Sequence, residues 1–311
     1  MQVELDTWDP ALDGIVAPGT ELERIAGNLS FIEGPIWHPV DRTLIFSDIV
    51  GDTMYRWSAG RGLETFRSPS HMANGNTYDR QGRILTCEHA TSRVSRTEPD
   101  GTVVVLASHY DGHELNSPND IVVKSDGTVW FTDPSFGRRA RVGIPRAQDL
   151  AFQAVFRLDP KSGDLRPVAD DFGNPNGLCF SLDETQLFVN DSPRGHIRVF
   201  QVQPDGKLTG GEVWAEVHGE GPGVPDGLKF DLAGHLYCAG PGGIYVFDSS
   251  ARCLGRIRMP EQVANFAWGD GDLCGLYIAA STTLYRLGMK VPGTCAWLGP
   301  DRQSALATGD A

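Results

Sequence analysis

An acid or an amide recurs at six places in the sequence, each time directly before a short apolar run, and these side chains could together bind a cation. The six residues are Glu33, Asn74, Asn119, Asn176, Asp226 and Asn265. They lie 41, 45, 57, 50 and 39 residues apart. Carboxylate and amide oxygens are the ligands that hard divalent cations prefer. Turn chemistry is an alternative explanation, because Asn and Asp often precede Gly in turns, but it does not account for Glu33.

A second apolar run follows each of these six residues, and four of the second runs end in an acid. The four acids are Asp48, Glu88, Asp133 and Asp191. If both sets of side chains faced one dry channel, the carboxylates would repel one another and their pKa values would rise. A bound divalent cation would resolve that conflict. The mixture of carboxylates and amides favours Ca²⁺, with Mg²⁺, Mn²⁺ or Zn²⁺ as alternatives.

The elements that must position these residues are short strands, which recur with a period of about 40–50 residues and are separated by polar turns. This period predicts an all-β fold, a six-bladed β-propeller with a metal site in its central channel. The first strand of each blade lines the channel in such a fold. The last blade supplies only three strands of its own, and residues 21–26 alternate polar and apolar side chains. We therefore expect this segment to add the fourth strand and close the ring.

The repeat runs without interruption and predicts one domain over residues 20–300. Residues 1–19 are expected to form an irregular N-terminal arm, and residues 301–311 a disordered tail. The sequence shows neither an apolar segment of membrane-spanning length nor a secretory signal. We expect a cytoplasmic protein that is a monomer or a homodimer.

The charge and the cysteines exclude several classes of function. The chain has 40 acidic and 27 basic residues and a net charge of −13. This balance disfavours nucleic acid and anionic membranes as partners. The six cysteines form no C-x-x-C pair, and structural burial is expected for all of them. No G-x-S-x-G, H-E-x-x-H, P-loop or EF-hand motif is present, so the chemistry is expected in the channel.

Blade three carries an insertion, residues 137–153, which brings a cluster of arginines into an acidic protein. The cluster consists of Arg138, Arg139, Arg141 and Arg146. The insertion is either a solvated loop or a lid whose arginines contact a hydroxyl-rich or carboxylate-bearing ligand. His89 follows Glu88 at the same mouth of the channel, and it is the histidine for which a ligand contact is expected.

Several short motifs carry a resemblance to a known family over residues 31–298. They are Glu33-Gly34-Pro35, Cys87-Glu88-His89, Asn116-Ser117-Pro118-Asn119-Asp120, Trp130-Phe131-Thr132-Asp133-Pro134, Asn176-Gly177 and Pro225-Asp226-Gly227. The chain resembles the gluconolactonase, senescence-marker-protein (regucalcin) and luciferin-regenerating-enzyme family, and within it the bacterial gluconolactonase branch.

The resemblance implies one divalent metal in the channel. Its ligands would be Glu33, Asn176 and Asp226, and Asn119 would contact the metal or the substrate. The animal members of the family place a substrate-binding Arg two residues before this Asn. Ser117 stands there in this chain, so that contact does not transfer.

The function expected on these grounds is metal-dependent hydrolysis of a sugar lactone, such as glucono-1,5-lactone to gluconate. Asp226 is assigned as the general base as well as a metal ligand. Substrate contacts are assigned to Asn119, Asn74, His89 and Arg138.

Two alternatives keep the same site. The first is a calcium-dependent esterase or phosphotriesterase, for which Phe136 and Met72 would line a more apolar mouth. The second is a calcium-binding propeller without catalytic activity, which would bind metal but turn over no substrate.

Overall fold

The computed structural model of the chain describes residues 1–295. Within that range the protein consists of strands and three short 3-10 helices. The tail predicted over 301–311 lies outside the described residues, as does the predicted end of the domain at 296–300. No helix among the described residues is long and apolar enough to cross a membrane.

The chain begins with two strands and a 3-10 helix, and three blades follow. The N-terminal elements are β1 (Glu4–Thr7), the 3-10 helix Pro10–Gly14 and β2 (Leu22–Ala26). Blade one contains β3 (Ile32–His38), β4 (Thr43–Asp48), β5 (Thr53–Ser58) and β6 (Gly62–Arg67). Blade two contains β7 (Ala73–Tyr78), β8 (Ile84–Glu88), β9 (Arg93–Thr97) and β10 (Val103–Ala107). A hairpin of β11 (His109–Tyr110) and β12 (His113–Glu114) precedes blade three, which contains β13 (Ile121–Val123), β14 (Val129–Asp133), β15 (Ala154–Asp159) and β16 (Asp164–Ala169).

Three further blades complete the described chain. Blade four contains β17 (Pro175–Phe180), β18 (Gln186–Asp191), β19 (His196–Val202) and β20 (Leu208–Glu216). Blade five contains β21 (Leu228–Phe230), β22 (Leu236–Gly240), β23 (Gly243–Phe247) and β24 (Cys253–Arg258). Blade six contains β25 (Val263–Gly269), β26 (Gly275–Ala280) and β27 (Thr283–Gly288). The other two 3-10 helices are Phe136–Arg138 and Ser192–Arg194.

Each blade is an antiparallel sheet whose strands follow one another in chain order, which confirms the predicted six-bladed propeller. Strand β2 pairs with β27, Leu22 opposite Leu287, and so supplies the fourth strand of blade six. The ring is thus closed by joining the two ends of the chain, as the alternating pattern of residues 21–26 predicted. The N-terminal strand thereby covers β27, which would otherwise be the outer edge of blade six.

The N-terminal arm is more regular than the sequence predicted. Strand β1 pairs with β24, from Glu4 opposite Arg258 to Thr7 opposite Gly255, and gives blade five a fifth strand. The Asp6 carboxylate holds the strand in place through an ion pair with Arg256 at 2.6 Å. A strand of four residues is too short to show a reliable alternation, which is why residues 1–19 read as irregular.

The hydrophobic core lies between neighbouring blades and fixes their spacing around the channel. Trp37 of blade one stacks on Tyr277 of blade six, with ring centroids 5.3 Å apart. Tyr237 of blade five meets Trp268 of blade six edge to face at 5.0 Å. The channel-lining strand β7 is buried along its whole length. Because the blades are packed on both faces, residues at the start of their inner strands have little freedom to move.

The cysteines are all free thiols, but they differ in burial. Four are buried, and Cys253 and Cys274 are partly exposed. The prediction that all six are buried is therefore wrong for these two. Cys253 begins β24 two residues before its pairing with β1, and Cys274 lies in the loop between β25 and β26, so neither is covered on all sides.

Candidate active site in the central channel

The six acid and amide residues that open the blades come together around one mouth of the channel. Each is buried, with between 2% and 8% of its surface exposed. Four lie within the inner strands, and Asn119 and Asp226 lie two residues before theirs begin. Neighbouring members touch: the Asn265 side chain donates a hydrogen bond to Glu33 Oε2 at 3.1 Å. The structure thus groups the residues that the sequence singled out, and their roles as metal ligands or substrate contacts stay predictions.

The glycines that follow these residues are explained by how closely the blades approach one another. A Cβ on Gly177 would lie 2.1 Å from the carbonyl oxygen of Asp226, and a Cβ on Gly34 would lie 2.1 Å from that of Asn74. Gly34 also adopts a φ of 55°, which disfavours a side chain. The recurring Gly is therefore needed to bring each blade against the next, and turn chemistry alone does not explain it.

The close approach makes Gly177 a sensitive position. We expect Gly177→Ala to destabilise the protein by about 1–3 kcal/mol, because the added methyl group has no room beside Asp226. Gly60→Ala is the matched control, since a Cβ there meets no atom within 4 Å. Unfolding in denaturant measures both, and an equal free energy of unfolding for the two variants would contradict the expected crowding.

Glu33 and Asp226 are two buried, hydrogen-bonded carboxyl groups, and each has a raised pKa. Burial, followed by the charge of Asp120, raises the pKa of Glu33 to about 7. Burial, followed by the charge of Glu33 and a hydrogen bond with it, raises the pKa of Asp226 well above its usual value. A divalent cation between the two would offset both effects by favouring the ionised forms.

Asn176 supplies the third oxygen of a site that fits such a cation. Its Nδ2 donates to Ser192 Oγ at 3.0 Å, and Ser192 Oγ donates to the Pro225 carbonyl at 2.6 Å. The amide is thereby fixed, and its Oδ1 is buried without a hydrogen-bond partner in the described structure. Two carboxylates and one free amide oxygen suit an oxygen-binding cation. No three His, Cys, Asp or Glu side chains within residues 1–295 form a metal cluster, and this set has only two.

Asn119 lies in the same ring, held by its backbone. Its N–H donates to the Thr132 carbonyl at 2.8 Å, and its carbonyl accepts from the Gly75 N–H at 2.8 Å. With the backbone fixed on both sides, the side chain is placed at the mouth with 5% of the residue exposed. The geometry is compatible with a contact to a cation or to a substrate.

The acids at the ends of the second strands do not form a second ring around a metal. Three of them each accept two backbone N–H groups of the loop that leads into their own blade, at 2.7–3.1 Å. The donors are Ser30 and Phe31 for Asp48, Asn116 and Ser117 for Asp133, and Gly173 and Asn174 for Asp191. These carboxylates therefore fix the approach to Glu33, Asn119 and Asn176, and the predicted second ring was wrong.

Glu88, the fourth of these acids, is satisfied by side chains. It accepts hydrogen bonds from Arg93 at 2.6 Å, from Ser95 at 2.6 Å and from Arg67 at 3.3 Å. A carboxylate with this many donors needs no further cation. The repeat could not show these partners, because Arg67 ends the last strand of blade one and Arg93 and Ser95 lie in the third strand of blade two.

His89 is buried, with 1% of its surface exposed, and its ring nitrogens are both engaged by the protein. Nδ1 lies 2.7 Å from the carbonyl oxygen of Val142 in the insertion, and Nε2 lies 2.9 Å from Nδ2 of Asn74. The substrate contact assigned to His89 is therefore not supported. Asn74 differs, because its Oδ1 is buried without a hydrogen-bond partner among the described residues and is available to a ligand.

His89 should make the protein sensitive to acid. Burial lowers its pKa from 6.5 to about 4, so the unfolded chain binds more protons between these values. The contribution to stability is complete above pH 6.5 and is lost as the pH falls toward 4, by about 2 kcal/mol at pH 5. Unfolding of the parent and of His89→Gln at pH 7 and pH 5 measures it. The parent should lose more stability than the variant, and parallel losses would contradict the assignment.

Arg138 is a structural residue and not a substrate ligand. It is 6% exposed, and its guanidinium donates to the carbonyls of Leu115, Asn116 and Ala147 and to the carboxylate of Glu114. No part of the sequence pattern predicted these partners, because the insertion has no periodicity. The predicted contact between Arg138 and the substrate is therefore not supported, because its guanidinium is already used by these four partners.

The other three arginines of the insertion differ in their contacts. Arg146 joins Arg138 on Glu114, at 3.4 Å, and ties the insertion to the neighbouring hairpin. Arg139 and Arg141 are exposed, and the guanidinium of Arg141 lies over the ring of Phe31 at 5.6 Å from its centroid. The insertion is therefore anchored through two of its arginines, and the other two remain accessible.

Asp120 belongs to the site but was not singled out from the sequence. It is 3% exposed, its Oδ1 accepts from the Ile121 N–H at 2.9 Å, and its Oδ2 is buried with no partner in the described part of the chain. Burial raises its pKa, and the charge of Lys229 opposes that rise. The sequence does mark Asp120 as unusual, because Gly follows the opening residue in four blades but Asp follows it in blade three.

Comparison with known proteins identifies relatives of this chain. Residues 31–283 match the family described as the SMP-30/Gluconolactonase/LRE-like region. The chain is 31% identical to a gluconolactonase of Zymomonas mobilis, over 93% of this chain and 87% of the relative. It is 30% identical to a pentonolactonase of Haloferax volcanii, over 80% of this chain and 81% of the relative.

A solved structure supports the same relationship. A gluconolactonase from Xanthomonas campestris superimposes with a TM-score of 0.85 at 34% identity, covering 93% of this chain and 95% of that one. The family match spans most of the propeller, and the motifs that carried the resemblance, such as Asn176-Gly177, lie at the channel mouth. This chain belongs to the SMP-30/gluconolactonase/LRE-like family.

Proposed function

We propose that this protein is a lactonase that hydrolyses a sugar lactone, such as glucono-1,5-lactone, with the help of one divalent cation. The observation that carries the proposal is the buried pair of Glu33 and Asp226 beside the unpartnered Oδ1 of Asn176. Two buried carboxyl groups in contact, each with its pKa raised by burial, are costly to ionise unless a charge of opposite sign joins them. The named activities of the relatives, gluconolactonase and pentonolactonase, support lactones as the substrate class.

Glu33, Asn176 and Asp226 would hold the cation, with Asn119 as a further ligand or a substrate contact. When bound, the cation supplies positive charge opposite the lactone carbonyl, where negative charge develops as water attacks. The all-oxygen donor set favours Ca²⁺, and Mg²⁺, Mn²⁺ or Zn²⁺ are the alternatives to be tested.

Asp226 would act as the general base. Its carboxylate takes a proton from water as the water oxygen bonds to the carbonyl carbon, and the proton then passes to the ring oxygen as the bond from that oxygen to the carbonyl carbon breaks. The product is the open hydroxy acid. Asn190 Nδ2 and Ser192 Oγ support this residue by donating to the carbonyls of Asp226 and Pro225, which keeps the carboxylate oriented.

The substrate class is tested with a panel that includes the alternatives. Purified protein with Ca²⁺ is assayed on glucono-1,5-lactone, a pentonolactone, an aryl ester and a phosphotriester, and kcat/KM is compared. We expect sugar lactones to be the best substrates. Preference for the aryl ester or the phosphotriester would replace this proposal with the esterase alternative, and metal binding without turnover of any of them would favour a calcium-binding protein without catalytic activity.

A further inference from the structure

The contacts of His89 determine which way the Asn74 amide points. A carbonyl oxygen only accepts hydrogen bonds, so His89 Nδ1, 2.7 Å from the Val142 carbonyl, must carry a proton. In the neutral ring Nε2 is then an acceptor, and the group 2.9 Å away must be the donating Nδ2 of Asn74. The opposite end of the amide, Oδ1, therefore faces away from His89.

The Oδ1 atom of Asn74 is available to accept a hydrogen bond from a ligand. Asn74 is 2% exposed, and Oδ1 is buried with no donor among the described residues. Its backbone carbonyl is already used, since Ser47 Oγ donates to it at 2.8 Å and Asn76 Nδ2 at 3.0 Å. Gly34, directly after Glu33, packs against the same carbonyl. A buried acceptor without a donor is unfavourable, and this one lies beside the residues that would hold the cation.

We propose that His89 is a positioning residue that holds Asn74 with Oδ1 as the acceptor for a hydroxyl group of the substrate, which makes the site selective for polyhydroxylated lactones. The inference rests on the proposed lactonase function. A site built to hydrogen-bond a substrate hydroxyl discriminates against an analogue that lacks it, because its own polar group is then left unpaired. The insertion takes part through the Val142 carbonyl, which fixes the tautomer of the ring.

Two substitutions of His89 separate the two hydrogen bonds. His89→Gln can place Oε1 near the position of Nε2, so it keeps an acceptor for Asn74 and loses the bond to Val142. His89→Asn can place Nδ2 near the position of Nδ1, so it keeps the donor to Val142 and loses the contact with Asn74. Both are neutral amides of the same chemistry, which makes them matched controls for each other.

The measurement is the ratio of kcat/KM for glucono-1,5-lactone to kcat/KM for δ-valerolactone, the six-membered lactone without hydroxyl groups. We expect Asn74→Ala and His89→Asn to lower this ratio by about 10- to 100-fold, and His89→Gln to keep it within about threefold of the parent. The double variant Asn74→Ala/His89→Asn should be no worse than either single one, because both act on the same oxygen.

Several results would overturn the inference. A ratio of the two kcat/KM values that falls in His89→Gln but not in His89→Asn would assign the selectivity to the insertion and not to Asn74. An unchanged ratio in Asn74→Ala would show that Oδ1 contacts no substrate hydroxyl. ¹⁵N NMR of the ring gives an independent readout: Nδ1 should be protonated, and a proton on Nε2 would contradict the assigned tautomer. If the parent hydrolyses neither lactone, the proposed function fails instead, so the two failures are distinct.

Discussion

Asp226→Asn is expected to lower kcat for lactone hydrolysis by about 10²–10⁴-fold when the divalent cation is saturating. The amide keeps one oxygen donor and nearly the same shape, so cation binding should be weakened but restored by a higher concentration. The amide cannot accept the proton from water, and this defect does not respond to the cation. KM should change little, since the substrate does not depend on that proton for binding.

The contradicting result is a rate near that of the parent at full occupancy of the cation site, which would leave Asp226 as a ligand only. Asp133 and Asp191 would not then replace it as the base, because each accepts two backbone N–H groups. Asp120 would be the next candidate, since its Oδ2 is buried without a partner in the described structure. Asp133→Asn serves as a comparison: it should destabilise the loop that leads to Asn119 but should not reproduce the ~10²–10⁴-fold loss of kcat that is expected from loss of the base.

Glu33→Gln is expected to weaken cation affinity by about 10²-fold, because the site loses one of its two negative charges. Unlike Asp226→Asn, this variant should recover most of its kcat when the cation is raised, since it retains the base. Titration of the rate with Ca²⁺, alongside calorimetric measurement of the dissociation constant, separates affinity from turnover.

Asn265, which donates a hydrogen bond to Glu33 Oε2, allows a smaller effect on cation affinity to be compared with that of Glu33→Gln. Asn265→Ala removes a neighbour of the carboxylate but no charge, so it should weaken the affinity less than Glu33→Gln does. Equal affinity of Glu33→Gln and the parent for the cation would show that the site lies elsewhere in the channel.

The fold could be predicted almost completely from the sequence because every blade repeats the same local pattern. Even the closing strand β2 was visible, since residues 21–26 alternate polar and apolar side chains. Strand β1 was not visible, because Glu4–Thr7 is short and its pairing depends on the distant β24. A short strand held by its pairing with β24 and by ion pairs with Arg256 and Arg258 carries no periodic signal of its own.

The candidate site was predictable only where strand position decides the direction of a side chain. Glu33 and Asn176 follow this rule within their strands, Asp226 lies two residues before its strand, and the structure places all three at one mouth. At the ends of the second strands the direction is decided by loop N–H groups, so acids such as Asp133 turned out to be structural. The contacts of His89 with Val142 and of Arg138 with Ala147 involve an insertion without periodicity, and no spacing rule could find them.

Removal and return of the cation test the central claim most directly. Protein freed of metal by a chelator, with the removal checked by elemental analysis, is assayed on glucono-1,5-lactone before and after Ca²⁺, Mg²⁺, Mn²⁺ or Zn²⁺ is added. We predict that hydrolysis falls to the uncatalysed rate without metal and returns when a divalent cation is restored, most fully with Ca²⁺. Hydrolysis by the metal-free protein at the parent rate would contradict the account.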